Sequence, residues 1–347
     1  MDILKFTSRK RETYNVQLTY STLWECALGI AAITNTKLIQ SLDRPEDYWL
    51  QIKQSISKEL LEQLHFVEKN NTWKSLLQLL HQKEFNHLSD FITYIKDLND
   101  SEMRFICLPF VGNEYQIYRE NAAQGEESSI EILRKVTHHN PFFPTYIEFI
   151  SKYEVTLLKE HLIKVMSKWY EEVMEKSLEE TKVILKNDYE SKKLMKKKLT
   201  PEGLVQWATG GVTYMPEPSV HTVLLIPQYI YRPWNIEADI EGMKVFYYPV
   251  SNESITPNDQ YTPNHFLVLK HKALGDEARL KIVKLLSEKN RTLQDITEQL
   301  NIGKSTIHHH LKMLRAAKLV EIIDSKYCLK TDVFELMFKE LEFYLNK

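Results

Sequence analysis

Between positions 304 and 312 the chain concentrates donors suited to reading DNA: Lys304, Ser305, Thr306, His308, His309 and Lys312. Ammonium and hydroxyl groups donate to phosphate oxygens, while imidazoles and hydroxyls reach base edges. Ile307, Leu311 and Leu314 recur among them at intervals of four and three. That spacing predicts a helix from Lys304 to about Ala317 with a buried apolar face, leaving the donors and Arg315 on its outer side. Lys326 supplies a further cation from a short hairpin downstream. DNA-binding residues are therefore expected at Lys304, Ser305, Thr306, His308, His309, Lys312, Arg315 and Lys326.

A second group is aromatic. Tyr214, Tyr229, Tyr231 and Trp234, beside His221 and Arg232, fall on predicted strands and are a candidate pocket for a flat or anionic ligand. Aromatics on a sheet that covers helices also serve as ordinary core, so both readings stand at this point. His138-His139 before Asn140-Pro141 reads as the start of a loop. No Gly-x-Ser-x-Gly, His-Glu-x-x-His or phosphate-cradling glycine loop occurs in a chain with 9 glycines, so no catalytic residue and no cofactor is expected. The 3 cysteines, Cys26, Cys107 and Cys328, are scattered, which fits a reducing compartment and offers no paired-cysteine zinc site. Consecutive histidines 308 to 310 diverge by about 100° on a helix and make no metal cluster. No metal site is expected.

The elements positioning the donors can be followed backwards and forwards from them. Phe266 to Lys272 opens a helical module, Asp276 caps a second helix with Leu280, Ile282, Val283, Leu285 and Leu286, and Thr292 caps a third with Leu293, Ile296 and Leu300. Asn301 tolerates the left-handed backbone that a sharp helix-helix turn requires. Leu319 to Ile323 and Lys326 to Leu329 form a hairpin about Asp324-Ser325, and Thr331 to Leu345 closes with an amphipathic helix.

Upstream, Tyr14, Val16 and Leu18 alternate as a short strand, and Ser21 or Thr22 caps an apolar helix through Ile33. Leucine-rich three-and-four spacing from Pro45 to about Leu108 is helical core, Gly112 to Ser129 reads as loop, and a long helix starts near Val155 and runs to about Lys198. Its basic end suits a helix C-terminus. Thr200-Pro201 opens a short helix. Val220 to Ile226, Gln228 to Trp234 and Met243 to Val250 read as strands of a small antiparallel sheet. The fold class is thus mainly α with small β-sheets (α+β): an N-terminal helical domain at 1–250, a linker at 251–264 rich in turn formers, and a winged helix-turn-helix domain at 265–347.

At 347 residues, with 43% hydrophobic and 27% charged residues, the chain is long enough for two or three domains of ordinary globular type. Its net charge of -2 divides unevenly, with 15 Lys+Arg against 11 Asp+Glu from His265 onward and 30 against 36 before it. A basic end on an acidic body suits a polyanion-binding module. Thr222 to Pro227, like the other apolar runs, is too short to cross a bilayer, and the charged N-terminus shows no signal sequence. A cytoplasmic location without a membrane partner is expected.

The residues ALGDEARLKIVKLL followed by STIHHHLKMLRAAKLVE closely resemble the ArsR/SmtB family of bacterial winged helix-turn-helix repressors, over about the last 80 residues. The resemblance implies double-stranded palindromic DNA as partner, and a homodimer whose opening helix (Phe266 to Lys272) and closing helix (Val333, Leu336, Met337, Phe338, Leu341 and Tyr344) pair across a two-fold axis. The chain departs from the family pattern where metal sensors hold metal. Thr292 to Leu300 has no cysteine and the closing helix has no histidine. Position 303, commonly a capping serine in the family, is glycine. A one-component repressor whose N-terminal domain senses a non-metal signal, such as a small-molecule effector, is the expected function. An enzyme or a protein-interaction scaffold with a regulatory DNA-binding tail is the alternative.

Overall fold

The computed structural model describes residues 13–257, 259 and 261–346, excluding the side chains of Lys37 and His265. Two compact units form: 1–190 with 216–250, and 191–215 with 251–347. The division is therefore not a single cut near 250, because residues 191–215 belong to the C-terminal unit.

In the first unit β1 (Asn15–Leu18) leads into α1 (Thr22–Ile33), started by the Ser21 hydroxyl accepting from the Leu23 amide. Burial covers α1 from Leu23 onward, as its apolar sequence on every side requires. Around it lie α2 (Thr36–Ile39), α3 (Glu46–Ser55), α4 (Lys58–Asn70), α5 (Trp73–Leu80), α6 (Leu88–Asp97) and α7 (Asp100–Cys107). Next come α8 (Gln116–Ala123), α9 (Glu127–Val136), α10 (Phe143–Lys152), α11 (Val155–Trp169) and α12 (Leu178–Met195), whose residues from 191 onward belong to the second unit. The expected loop at 112–129 is largely the helix α8 and the start of α9. Ala122, Ala123 and the aliphatic stem of Arg119 form its buried side, and small residues give little periodic signal. The expected long helix is interrupted at Tyr170–Met174 by a π-helical turn and then a 3₁₀ turn. Gly29 explains the close approach there, since a Cβ on it would stand 2.8 Å from the Trp169 ring.

The sheet completing this unit adds β2 (Thr222–Gln228), β3 (Ile236–Ile240) and β4 (Met243–Pro249) in the order β1-β2-β4-β3. It is mixed, not antiparallel: β1 and β4 both run parallel to β2, and only the edge strand β3 is antiparallel, to β4. The expected strand at 228–234 is a turn. The Gln228 side chain accepts from the Tyr231 amide at 2.8 Å and donates to the Trp234 carbonyl at 2.8 Å, and the Arg232-Pro233 peptide is cis. These local bonds take the backbone groups a ladder would need.

In the second unit, α13 (Pro201–Ala208) and α14 (Asn252–Ile255) precede the winged module: α15 (His265–Leu274), α16 (Glu277–Glu288), α17 (Leu293–Leu300), α18 (Lys304–Ala316), the hairpin β5 (Val320–Ile323) and β6 (Lys326–Leu329), and α19 (Asp332–Leu345). Ile282, Ile296, Ile307, Leu311, Leu314, Leu319 and Val333 are its fully buried centre. Segment 191–215 is built into it. The Gln206 amide donates to Asp332 at 2.7 Å, Trp207 meets Phe343 edge-on at 5.7 Å, and Lys330 donates to the Gly211 carbonyl at 2.6 Å. Gly210 has φ 70° with the Phe266 ring where a side chain would stand, so only glycine fits.

Candidate nucleic-acid interface

The interface is assembled by three local signals. Asp276 caps α16 by accepting from the Arg279 amide at 3.0 Å, and that bond holds its carboxyl below the usual range. Thr292 and Asp295 form a reciprocal capping box at the start of α17. Asn301 ends α17 in the left-handed region at φ 51°, ψ 43°, turning the chain sharply into α18.

Helix α18 then lies with Ile307, Leu311 and Leu314 fully buried. Lys304, Ser305, Thr306, His308, His309, Lys312 and Arg315 are exposed on its other side. Gly303 makes no side-chain cap bond, so the first amides of α18 point outward unclaimed by a side chain, and a helix N-terminus attracts anions. His310 differs from its neighbours. Its ring is largely covered, 3.8 Å from the Asp276 carboxylate, and serves packing. The wing turns at Asp324 and Ser325, both left-handed at φ 48° and 62°, a two-residue hairpin turn matched to strand twist. Lys326 is exposed on it, and Arg291, bridged to Tyr327 by backbone pairing, fastens the wing to the body.

The candidate aromatic group is divided between the two units. Tyr214 is half-buried in the second unit, the other five in the first. Of those five, Tyr229 lines a cavity of about 30 Å³ with Glu25, Arg44 and Tyr48. Tyr231 is buried, Arg232 pairs with Asp43 at 3.2 Å, Trp234 donates to Ser41, and His221 is exposed at the start of β2. The polar heads of Arg232 and Trp234 are thus spent on Asp43 and Ser41, and the His221 ring faces solvent. His138 and His139 are exposed after α9. Among the described residues no three His, Cys, Asp or Glu side chains converge as a metal site, and no helix is long and apolar enough to cross a membrane.

Two chemically distinctive groups have no motif. Glu25 is fully buried on α1, its carboxylate accepting from the Tyr229 and Ile230 amides. Burial pushes its pKa up to about 7 despite those bonds and the nearby Arg44 guanidinium. Arg44 stands between the Tyr48 and Tyr229 rings at 4.7 and 4.5 Å. Lys74 on α5 is held in a partly closed cavity, and burial lowers its pKa to about 8. The one sequence signal for either is a lone charge inside an apolar run, LWECALGI and WKSLLQLL.

Comparison with known proteins bears on the winged module alone. Residues 276–321 match the family described as "Bacterial regulatory protein, arsR family". A stretch of 49 residues is 43% identical to the "Transcriptional repressor SdpR" of Bacillus subtilis (strain 168), covering 14% of this chain and 54% of that protein. The chain thus spans about half the length of the curated relative it matches. No solved structure matches the chain. The segment from α16 to the start of β5 accordingly matches the helix-turn-helix domain of the bacterial arsR family, over residues 276–321 alone.

Proposed function

We propose that this protein is a transcriptional regulator, a repressor, that binds palindromic double-stranded DNA as a homodimer in the cytoplasm. The observation that carries this is the exposed face of α18, where seven donor-bearing side chains stand together on a helix fixed by a left-handed turn and flanked by a wing. That geometry lets the N-terminal half of α18 enter a major groove while Lys312, Arg315 and Lys326 take phosphates. The first unit supplies the regulatory signal, and no catalytic role is assigned to it.

The test is fluorescence anisotropy of the full chain on DNA from upstream of its own gene, at several salt concentrations. Affinity is expected to fall steeply with salt, with a log-log slope of about -0.9 for each phosphate neutralised. Lys312→Ala should weaken binding on all sequences alike and lower that slope by about one. His308→Ala should change the sequence preference instead. Absent or salt-independent binding to every genomic fragment would sink the proposal.

A further inference from the structure

The first unit contains a cavity of about 210 Å³ between α5, the start of α10 and strand β3. Its lining is divided by chemistry. Trp73, Phe143, Leu77 and Phe110 give it flat apolar walls, and Lys74 is the one cation on them. The Lys74 ammonium lies 4.4 Å from the Trp73 ring centroid and 4.7 Å from that of Phe143. Burial is the cause that lowers the pKa of this amine, and no carboxylate stands close enough to offset it. The two acidic residues of the lining, Glu237 and Asp239, share the Lys244 ammonium at 3.0 Å each, which offsets one of their two charges and holds both carboxylates on that lysine.

Further features favour an anion beside Lys74. It occupies the first turn of α5, where the helix dipole is positive. Thr72, the N-cap, makes no cap bond because its hydroxyl is engaged by His161 Nε2 at 2.8 Å. The hydroxyl of Tyr146 is bonded to Ser75 at 2.8 Å and to the Cys107 carbonyl at 2.9 Å, so this end of the cavity is rigid and preorganised. A desolvated ammonium with no anionic partner is costly, and a ligand carboxylate would satisfy it in a site where water screens little. The volume is below the 300 to 1,000 Å³ of drug-sized sites, which selects a ligand of about ten heavy atoms.

We infer that this cavity binds a small aromatic monocarboxylate, its carboxylate on Lys74 and its ring against Trp73 and Phe143. The inference rests on the sensing role proposed above only for its regulatory consequence; the binding site itself stands on this geometry. Because binding is measured without DNA, failure here would leave the DNA-binding reading intact.

The experiment is isothermal titration calorimetry of the full chain with benzoate, benzamide and benzylamine. Saturable binding of benzoate is expected, with benzamide and benzylamine weaker by about tenfold or more. Lys74→Met should weaken benzoate binding by about the same factor while the thermal melt stays cooperative. Benzoate affinity for the natural sequence should also fall as pH rises from 7 to 9.5, as Lys74 loses its proton; this profile decides the matter if the variant fails to fold. Absence of benzoate binding, equal or tighter binding of benzamide or benzylamine, an unaltered Lys74→Met affinity, or a flat pH profile would each overturn it.

Discussion

At the scale of residues, Glu25 shows how much of this protein's chemistry lies outside any motif. Its carboxyl sits in a fully buried position on α1, caps two backbone amides of the turn after β2, and titrates near pH 7 because desolvation outweighs those bonds and Arg44. An ordinary carboxyl has its pKa near 4.5. Below that value the group is neutral in both folded and unfolded chains and costs nothing. As pH rises from about 4.5 to about 7, the unfolded chain releases this proton and the folded chain keeps it, so stability is lost across that window and is constant above it. The loss is on the order of 3 kcal/mol. Glu25→Gln removes the titration while retaining an acceptor for the amides. Its melting temperature relative to the natural sequence should rise between pH 5 and 7 and then level off, and a difference independent of pH would show that Glu25 keeps an ordinary pKa. The same sequence context that hides Glu25 hides Lys74: one charge within an apolar helix reads as a core stripe with an exception, and only the fold shows what surrounds it.

At the scale of elements, local rules were sufficient wherever local physics decides. The Asp276 and Thr292 caps, the left-handed Asn301, the buried Ile307, Leu311 and Leu314, and the Asp324-Ser325 turn are all legible, because each depends on neighbours within a few residues. The sheet was not. Strands β1 and β2 pair in parallel across some two hundred positions, with Asn15 opposite Thr222, and nothing near either strand encodes that pairing. The alternation in 228–234 misleads because Gln228 folds the chain back on itself through its own side chain. Gly303 gives a test of the local account of α18. Its φ of -52° is accessible to any residue, and the nearest atom to an added Cβ is Thr306 Oγ1 at 3.9 Å, ordinary contact. Gly303→Ser supplies the missing cap and should stabilise the winged unit by a few tenths of a kcal/mol, or about 1 at most. Chemical denaturation should show the midpoint rising with unchanged slope. A fall in midpoint would mean that this turn needs glycine for a reason beyond capping.

At the scale of the whole molecule, the chain passes between its two units three times, near 190, 215 and 250, so the winged unit incorporates a segment from the middle of the sequence. Part of the face that the family resemblance assigns to dimerisation is already used inside this unit. Val333, Leu336 and Met337 are buried within the chain, and Glu340 forms a two-oxygen ion pair with the buried Lys270 at 2.8 Å, tying α19 to α15. What remains on α19 is Phe338, 69% exposed, with Leu345, 70% exposed, and the half-buried Leu341 between them. These recur at intervals of three and four and form one apolar stripe, a surface that isolated soluble chains seldom leave open. If the stripe joins two copies about a two-fold axis, light scattering on the full chain should give twice the 41.1 kDa chain mass. Phe338→Asp places a charge at one end of the stripe, on its most exposed aromatic, without touching the core or the Lys270 pair. It should give a monomer with an unchanged melting profile, whose affinity for a palindromic site falls by about two orders of magnitude or more because one α18 must then bind alone. Natural protein scattering as a single chain, or a Phe338→Asp variant that remains dimeric and binds as before, would place the two-fold contact elsewhere or remove it.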